Sequence, residues 1–170
     1  MKRDALHGQW RIPGSLWQLR WYAAGRQTKY PGLKLVESLM VDEFWERYRT
    51  AYTAAAYNVR VGRGRPVLEG VEEEFARDWQ MSTQLRIDVL LWDGEELTVV
   101  EVKELADAEA FGQAYLYKRL LRRTYQTAVP IRSAVLCRDA HPDLVGEYVE
   151  HGISLLVVKG KLAEEGQWSR

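Results

Sequence analysis

The 170-residue sequence predicts one α/β domain in which helices flank a mixed β-sheet. Three observations lead to this fold class. Residues 85–103 contain two β-rich runs around an Asp-Gly turn signal, which is typical of a β-hairpin. Residues 108–125 have helical periodicity. The runs 131–137 and 154–158 are separated by a short helical segment, which predicts a parallel βαβ crossover.

The first half of the domain contains a helix, a strand and the hairpin. Apolar residues recur at helical spacing over about 33–56, directly after the turn signal Pro31-Gly32. Residues 57–61 are a predicted strand, and they lead into the basic, glycine-bearing loop 62–66. A short acidic helix or turn is expected at 70–79, before the hairpin.

The second half completes the sheet. Asp107 is a candidate N-cap for the helix 108–125, and 131–137 reads as a buried strand. A short helix at about 142–150 ends at a His-Gly pair, and a final strand follows at 154–158. The predicted order is αβββαβαβ, with the acidic segment as an extra helix or turn.

The chain divides into three predicted parts. Residues 33–160 form the domain, residues 1–32 are a Trp/Arg-rich N-terminal extension, and residues 161–170 are a C-terminal tail. No apolar stretch reaches the length of a membrane span, and the N-terminus lacks the apolar core of a signal peptide. A cytoplasmic location without a membrane partner is therefore expected.

Zero net charge conceals a strong asymmetry along the chain. Residues 1–65 carry a net charge of +7, residues 66–105 carry −8, and the remainder carries +1. An acidic centre between basic flanks fits a metal site beside surfaces that attract a polyanion. Solvated charge scattered over the surface explains the same counts equally well.

Several chemistries are poorly supported. A single cysteine, Cys137, excludes a disulfide scaffold, a four-cysteine zinc site and a cysteine-held iron–sulfur cluster. The three histidines are dispersed, and none is spaced for zinc or paired with a nucleophilic Ser or Cys.

The hairpin carries the residues with the clearest chemistry. Because side chains alternate along a strand, Glu101 and Lys103 share one face. With a four-residue loop at 93–96, Asp88 falls directly opposite Glu101. With a two-residue turn the pair moves one diagonal step apart but keeps its common face. Either register gathers two carboxylates and an ammonium on one side of the sheet.

Such a group can hold Mg²⁺ or Mn²⁺, because hard cations prefer oxygen ligands and retain several waters. The expected metal ligands are Asp88, Glu101 and the carbonyl of Val102. Lys103 can position or deprotonate a water, or offset charge in the transition state, and the sequence leaves these roles open. Burial beside a metal is expected to lower the pKa of Lys103.

These residues and their order resemble the PD-(D/E)xK nuclease superfamily of restriction enzymes, junction resolvases and RecB-like nucleases. The resemblance covers roughly 33–158 in the order and type of elements, although Ile87 stands where the family name has Pro. Gln113 and Tyr117 resemble the Gln-xxx-Tyr signature of the RecB-like and resolvase branches. The residues that match the motifs are Asp88, Glu101, Lys103, Gln113 and Tyr117.

The resemblance implies a restriction-endonuclease-like mixed sheet and Mg²⁺-dependent hydrolysis of DNA that leaves a 5′-phosphate. Family members commonly have a glutamate in the first helix, and Glu37 is the preferred candidate because it shares a face with apolar residues. Glu43 and Glu46 are weaker candidates. Gln113 is expected to bind the lysine, a water or a phosphate, whereas Tyr117 fits a core position as well as a catalytic one.

Two basic segments are candidate nucleic-acid contacts. They are the loop residues Arg60, Arg63 and Arg65 and the helix residues Lys118, Arg119, Arg122 and Arg123. The helix residues fit a solvated face equally well. In the N-terminal extension, Trp10, Trp17 and Trp21 could stack on unpaired bases. Packing back on the core or a dimer contact is the favoured interpretation.

The expected function is a metal-dependent deoxyribonuclease with DNA as its partner. A catalytically silent nuclease-like domain that binds nucleic acid or a protein is the main alternative, and an RNA-cutting enzyme is a third. A homodimer is also expected, since a compact nuclease that cuts both strands often uses two copies.

Overall fold

The computed structural model describes residues 10–159, which form an α/β fold with a mixed six-stranded sheet flanked by helices. The strands are β1 (Trp21–Ala23), β2 (Ala54–Val61), β3 (Leu85–Trp92), β4 (Leu97–Val102), β5 (Leu105–Ala106), β6 (Ile131–Cys137), β7 (Asp139–Ala140) and β8 (Ile153–Val157). The helices are α1 (Leu35–Tyr48), α2 (Glu73–Thr83), α3 (Ala108–Tyr125) and α4 (Val145–Glu150). No helix in this part of the chain is long and apolar enough to cross a membrane.

The main sheet has the order β1-β2-β3-β4-β6-β8. Strands β1 to β4 are antiparallel neighbours, whereas β4, β6 and β8 run parallel. The parallel pairing of β6 with β8 confirms the predicted crossover through α4. A separate two-stranded ribbon pairs β5 with β7.

The hairpin between β3 and β4 has the longer of the two predicted loops. Trp92 pairs with Leu97, so residues 93–96 form the connection. The Asp93 carboxylate accepts hydrogen bonds from the backbone N–H groups of Glu95 and Glu96, both at 2.8 Å. This Asx turn fixes the register of the two strands that carry Asp88 and Glu101.

Helix α3 begins and ends where the sequence predicts. Asp107 is the N-cap, and its side chain accepts a hydrogen bond from the Ala110 N–H at 2.9 Å. The helix ends at Gln126, which has a left-handed conformation (φ 45°). The predicted strand 131–137 also has the observed bounds of β6.

The predicted first helix was too long. Helix α1 ends at Tyr48, and the alanines of residues 54–56 belong to β2. Their partners in β3 are Leu90, Leu91 and Trp92. Alanine favours helices in isolation, but here small side chains pair with large ones in a fully buried strand, and tertiary packing overrides the local preference. Neither β1 nor the β5–β7 ribbon was predicted.

The described part of the N-terminal segment packs on the sheet. Trp10, Leu16 and Trp21 are buried, and the Trp92 indole donates a hydrogen bond to the Trp10 carbonyl at 2.8 Å. Trp17, in contrast, remains 57% exposed. Two of the three tryptophans in this segment, Trp10 and Trp21, therefore pack into the core. Residues 1–9 and the predicted tail at 161–170 lie outside the described residues.

The two long helices cover opposite faces of the sheet. Met40 and Phe44 of α1 pack in one cluster with Val100, whereas Tyr117 and Leu121 of α3 pack in another with residues that include Leu90 and Val99. Glu101 alternates with Val100 along β4, so its side chain belongs to the α3 face.

Candidate metal-binding active site

Asp88 and Glu101 lie opposite each other where strands β3 and β4 separate. The paired register runs from Trp92–Leu97 to Val89–Val100, and the next opposite pair is Asp88–Glu101. At this position the Asp88 carboxylate accepts a hydrogen bond from the backbone N–H of Val102 at 2.9 Å. The Asp88 side chain thus takes the place of the backbone carbonyl that would accept the Val102 N–H in a regular β-ladder.

Burial raises the pKa of both carboxylates, and the two interact: Asp88 raises the pKa of Glu101, whereas the hydrogen bond with Glu101 lowers that of Asp88. Burial is the main reason that the pKa of Glu101 is raised, and the charge of Asp88 adds to it. The pKa of Asp88 is also raised by burial and by the charge of Glu37, although the Val102 N–H acts in the opposite direction. The two groups are close enough to share a proton. A cation is the natural alternative to that proton.

Lys103 follows on the same face of the sheet and is bound to Glu109, with Nζ and Oε1 3.2 Å apart. Burial lowers the pKa of Lys103, but the hydrogen bond and charge of Glu109, with the charge of Glu101, outweigh it, so the pKa is raised. The lowered pKa expected from the sequence applies to a lysine beside a bound metal and stays a prediction. In this arrangement the raised pKa favours the ammonium form of Lys103, which can stabilise negative charge.

The carbonyl of Val102 is directed toward the carboxylates. The N–H of Lys103 donates to the Leu136 carbonyl on β6 at 3.0 Å, whereas the N–H of Val102 donates to Asp88 on β3. Successive residues therefore direct their backbone groups to opposite neighbours. Because the N–H and C=O of one strand residue point the same way, the Val102 carbonyl is on the Asp88 side.

Glu37 lies at the start of α1, close enough to Asp88 for its charge to raise the Asp88 pKa. Its carboxylate accepts a hydrogen bond from the Lys34 N–H at 2.7 Å, which forms a capping box. A side chain at Gly32 would clash with Asn58, since an added Cβ would lie 2.7 Å from the Asn58 Cγ. This close approach fixes the segment before α1 beside β2.

The two weaker glutamate candidates are engaged elsewhere. Glu43 is ion-paired with Arg138 at 3.3 Å, and Glu46 with Arg26 at 3.3 Å. The α1 glutamate with the largest effect on the pKa of Asp88 is Glu37. Of the three glutamates of α1, Glu37 is thus the one placed beside the carboxylate pair.

Gln113 and Tyr117 occupy the side of α3 that faces the sheet. The Gln113 Nε2 donates to the Tyr117 hydroxyl at 3.4 Å. Tyr117 is buried, and its pKa is raised by burial and by the charge of Glu101. Tyr117 therefore combines the two predicted roles, since it is a core residue whose hydroxyl lies near the carboxylates.

Two buried oxygens at this site have no donor within residues 10–159. They are Glu101 Oε2 and Gln113 Oε1. Buried acceptors without a partner are uncommon and mark a position for a water or a cation. No three His, Cys, Asp or Glu side chains converge into a metal-holding group in the same part of the chain. Two carboxylates, a carbonyl and waters still fit Mg²⁺, which needs few protein ligands.

The two predicted basic segments meet on the structure. The Gly62 N–H donates to the Thr124 hydroxyl at 2.9 Å, and the Tyr125 hydroxyl donates to the Arg60 carbonyl at 3.1 Å. The loop 62–66 thus lies against the last turn of α3. A surface groove on this helix is lined by Lys118, Arg119, Arg122, Arg123 and Ile131.

Sequence reasoning missed two residues beside the site. Glu109 forms an ion pair with Lys103. The only feature of the sequence that pointed to this role was the position of Glu109, an acidic residue in the first turn of a helix close to the motif. Asn58 stands opposite Asp88 in the register of β2 and β3 and has a left-handed conformation (φ 55°). One Asn within a predicted strand did not indicate that its backbone is left-handed or that it lies opposite Asp88.

Comparisons of the chain with protein-family models, with curated proteins and with solved structures returned no match. The interpretation of the site therefore depends on its own geometry and chemistry.

Proposed function

We propose that the chain is a metal-dependent nuclease that hydrolyses phosphodiester bonds of DNA, with a restriction-endonuclease-like fold of the PD-(D/E)xK type. The observation that carries the proposal is the pair Asp88 and Glu101, which lie opposite each other, both have pKa values raised by burial, and are followed on the same face by the Lys103 ammonium. A structural pair of buried charges would be expected to include its own counter-ion.

The arrangement of the sheet supports the fold assignment. Apart from α2, the 3-10 helices and the short strands β1, β5 and β7, the elements follow the order α1, β2, β3, β4, α3, β6, α4, β8, which is the expected αβββαβαβ order. The motif residues lie on the antiparallel pair β3–β4, and the pairing becomes parallel at β6.

The candidate metal ligands are Asp88, Glu101 and the Val102 carbonyl. When bound there, Mg²⁺ or Mn²⁺ would lower the pKa of a water and offset charge on the phosphate oxygens. Lys103 supplies a fixed positive charge beside the developing negative charge, and Glu109 keeps it protonated and oriented. The unpartnered Gln113 Oε1 is positioned to accept a hydrogen bond from a water.

The basic groove supports a nucleic acid as the substrate. Four cations on α3 form a positive surface on the same helix that carries Gln113 and Tyr117. Contacts of this kind bind phosphates without reading the base sequence. The groove therefore supports the substrate class and does not specify a target.

A cleavage assay tests the proposal. The full chain is incubated with plasmid, linear duplex, branched and single-stranded DNA and with RNA, each with Mg²⁺, Mn²⁺ or EDTA. Asp88→Ala and Lys103→Ala are assayed in parallel. Glu104→Gln is the matched control, because it removes an exposed carboxylate one residue beyond the motif.

Cleavage of DNA that requires the metal, disappears in both alanine variants and persists in the control supports the proposal. Cleavage that survives EDTA or both substitutions rejects it. Binding of DNA without cleavage under every condition favours the silent nucleic-acid-binding alternative, and cleavage of RNA alone changes the substrate class.

A further inference from the structure

Helix α2 exposes an apolar stripe that no described residue covers. Phe75 and Trp79 are four residues apart and so share one side of the helix, and the partly exposed Val71 lies two residues before its first turn. The exposed fraction is 67% for Phe75 and 47% for Trp79, and no residue of α2 is buried. Most surface helices place such a stripe against a core.

The exposed apolar area is large enough for an interface. The two aromatic rings together expose about 200 Å², since a full aromatic side chain presents roughly 150–250 Å². Leu68, which is 82% exposed, lies just before the helix, and Leu85, 49% exposed, lies just after it. The patch is comparable with the largest on ordinary monomers, roughly 300–600 Å², which are often interaction sites.

The stripe has an acidic edge. At 3.6 residues per turn, Glu74 and Asp78 lie within about 100° of Phe75 on one side of the helix. Both side chains belong to exposed residues. The helix and the residue before it carry four carboxylates, counting Glu72 and Glu73, against the single cation Arg77. An acidic surface of this kind repels nucleic acid and favours a protein partner with a basic surface.

The opposite edge of the stripe is basic. The Arg65 N–H donates to the Thr83 hydroxyl at 2.8 Å, and the Trp79 indole donates to the Pro66 carbonyl at 3.2 Å. An added Cβ on Gly64 would lie 2.1 Å from the Gln80 carbonyl oxygen, so the loop is packed directly against the helix. Gln80 and Thr83 are on the side away from Glu74 and Asp78. The exposed arginines of the loop, Arg63 and Arg65, therefore flank the stripe.

We infer that this surface joins two copies of the chain in a symmetric dimer, with the two α2 helices side by side and parallel. A two-fold axis that runs parallel to the helix, along the stripe, relates the two copies by a half-turn. The acidic edge of one copy then faces the basic edge of the other. Val71, Phe75 and Trp79 are then buried between the copies. An axis perpendicular to the helix would instead bring acidic edges together.

The inference is independent of the proposed nuclease activity. It assigns Arg63 and Arg65 to carboxylates of the second copy, and it leaves the cations of α3 for phosphate binding. The interface lies on the connection between β2 and β3 and does not include Asp88 or Glu101. Loss of the dimer and loss of catalysis are therefore separable results.

Sedimentation equilibrium of the full chain tests the inference, with circular dichroism as the check on folding. The wild type is expected to be dimeric at micromolar concentration. Phe75→Lys should weaken the dimer at least about tenfold, since it places a charge in the apolar centre. Glu74→Lys/Asp78→Lys makes both edges basic, and Arg63→Glu/Arg65→Glu makes both edges acidic. Each of these double variants alone should be monomeric.

An equimolar mixture of the two double variants provides the decisive measurement. If the edges pair as inferred, the mixture should form a heterodimer, which native mass spectrometry identifies by its mass. A monomeric wild type would overturn the inference and leave the stripe to a different protein. The inference would also be overturned if either double variant formed a dimer on its own. It would likewise be overturned if the two folded double variants were mixed and formed no heterodimer.

Discussion

The backbone N–H of Val102 donates a hydrogen bond to the Asp88 carboxylate at 2.9 Å. This bond ties the carboxylate of β3 to the strand that carries Glu101. Asp88 therefore has a structural contact beside its proposed role as a metal ligand, and the choice of substitution can separate the two.

Asp88→Asn should retain the fold and lose the proposed binding of Mg²⁺ or Mn²⁺. The amide oxygen can still accept the Val102 N–H, whereas Asp88→Ala leaves that donor without a partner and should destabilise the protein by roughly 1–3 kcal/mol. Thermal melts measure the stability, and Mn²⁺ titration calorimetry measures binding. Equal stability of the two variants would show that the hydrogen bond contributes little.

The stability of the metal-free protein should fall as the pH rises. The pKa values of Asp88 and Glu101 are raised in the folded state, so the folded protein binds more protons than the unfolded chain above the ordinary carboxyl pKa of about 4. The stabilisation is complete below that pH and is lost as each group ionises at higher pH. Melting temperatures measured from pH 4 upward check this.

Glu101→Gln should flatten that pH dependence, because the amide has no proton to lose. Saturating Mg²⁺ or Mn²⁺ should raise the melting temperature of the wild type and leave this variant almost unchanged. A wild-type melting temperature that is independent of both pH and metal would contradict the proposed coupling of the carboxylates.

Lys103→Arg should retain a larger share of any cleavage activity than Lys103→Gln, because the structure assigns the side chain a fixed positive charge. Removing the charge should lower the cleavage rate by about 10²-fold or more. Single-turnover rates on one DNA substrate give the comparison. A rate that depends on deprotonation of Lys103, with Arg as inactive as Gln, would instead identify the lysine as a base.

Arg122→Ala and Arg123→Ala should each weaken DNA binding by a similar factor for all sequences. Each substitution should also reduce the slope of log K against log salt by about 1, because one phosphate contact is lost. Fluorescence anisotropy at several salt concentrations measures both effects. Arg47→Ala is the control, since Arg47 lies on α1 across the sheet. An equal effect of the control would indicate nonspecific attraction.

Local patterns were sufficient for the elements that carry the site. The hairpin, helix α3 with its Asp107 cap and strand β6 were predicted from alternation, a capping residue and an apolar run. The opposition of Asp88 and Glu101 depends only on the loop length between two adjacent strands. Short-range geometry determines such features, so they can be read along the chain.

Other features depend on contacts between distant residues. The alanines of β2 are in a strand because β1 and β3 enclose them, and the N-terminal tryptophans are buried because the sheet offers them a face. Their environment comes from segments tens of residues away, which no local pattern contains.

The sequence by itself determined which residues form the candidate site, because alternation along one hairpin places two carboxylates and a lysine on a common face. Only the tertiary structure decided their state. Glu109, brought in by α3, raises the pKa of Lys103, and burial raises the pKa of both carboxylates. The electrostatic environment of a group is set by everything that packs around it, and this is why the sequence left the role of Lys103 open, whereas the structure shows the neighbours that raise its pKa.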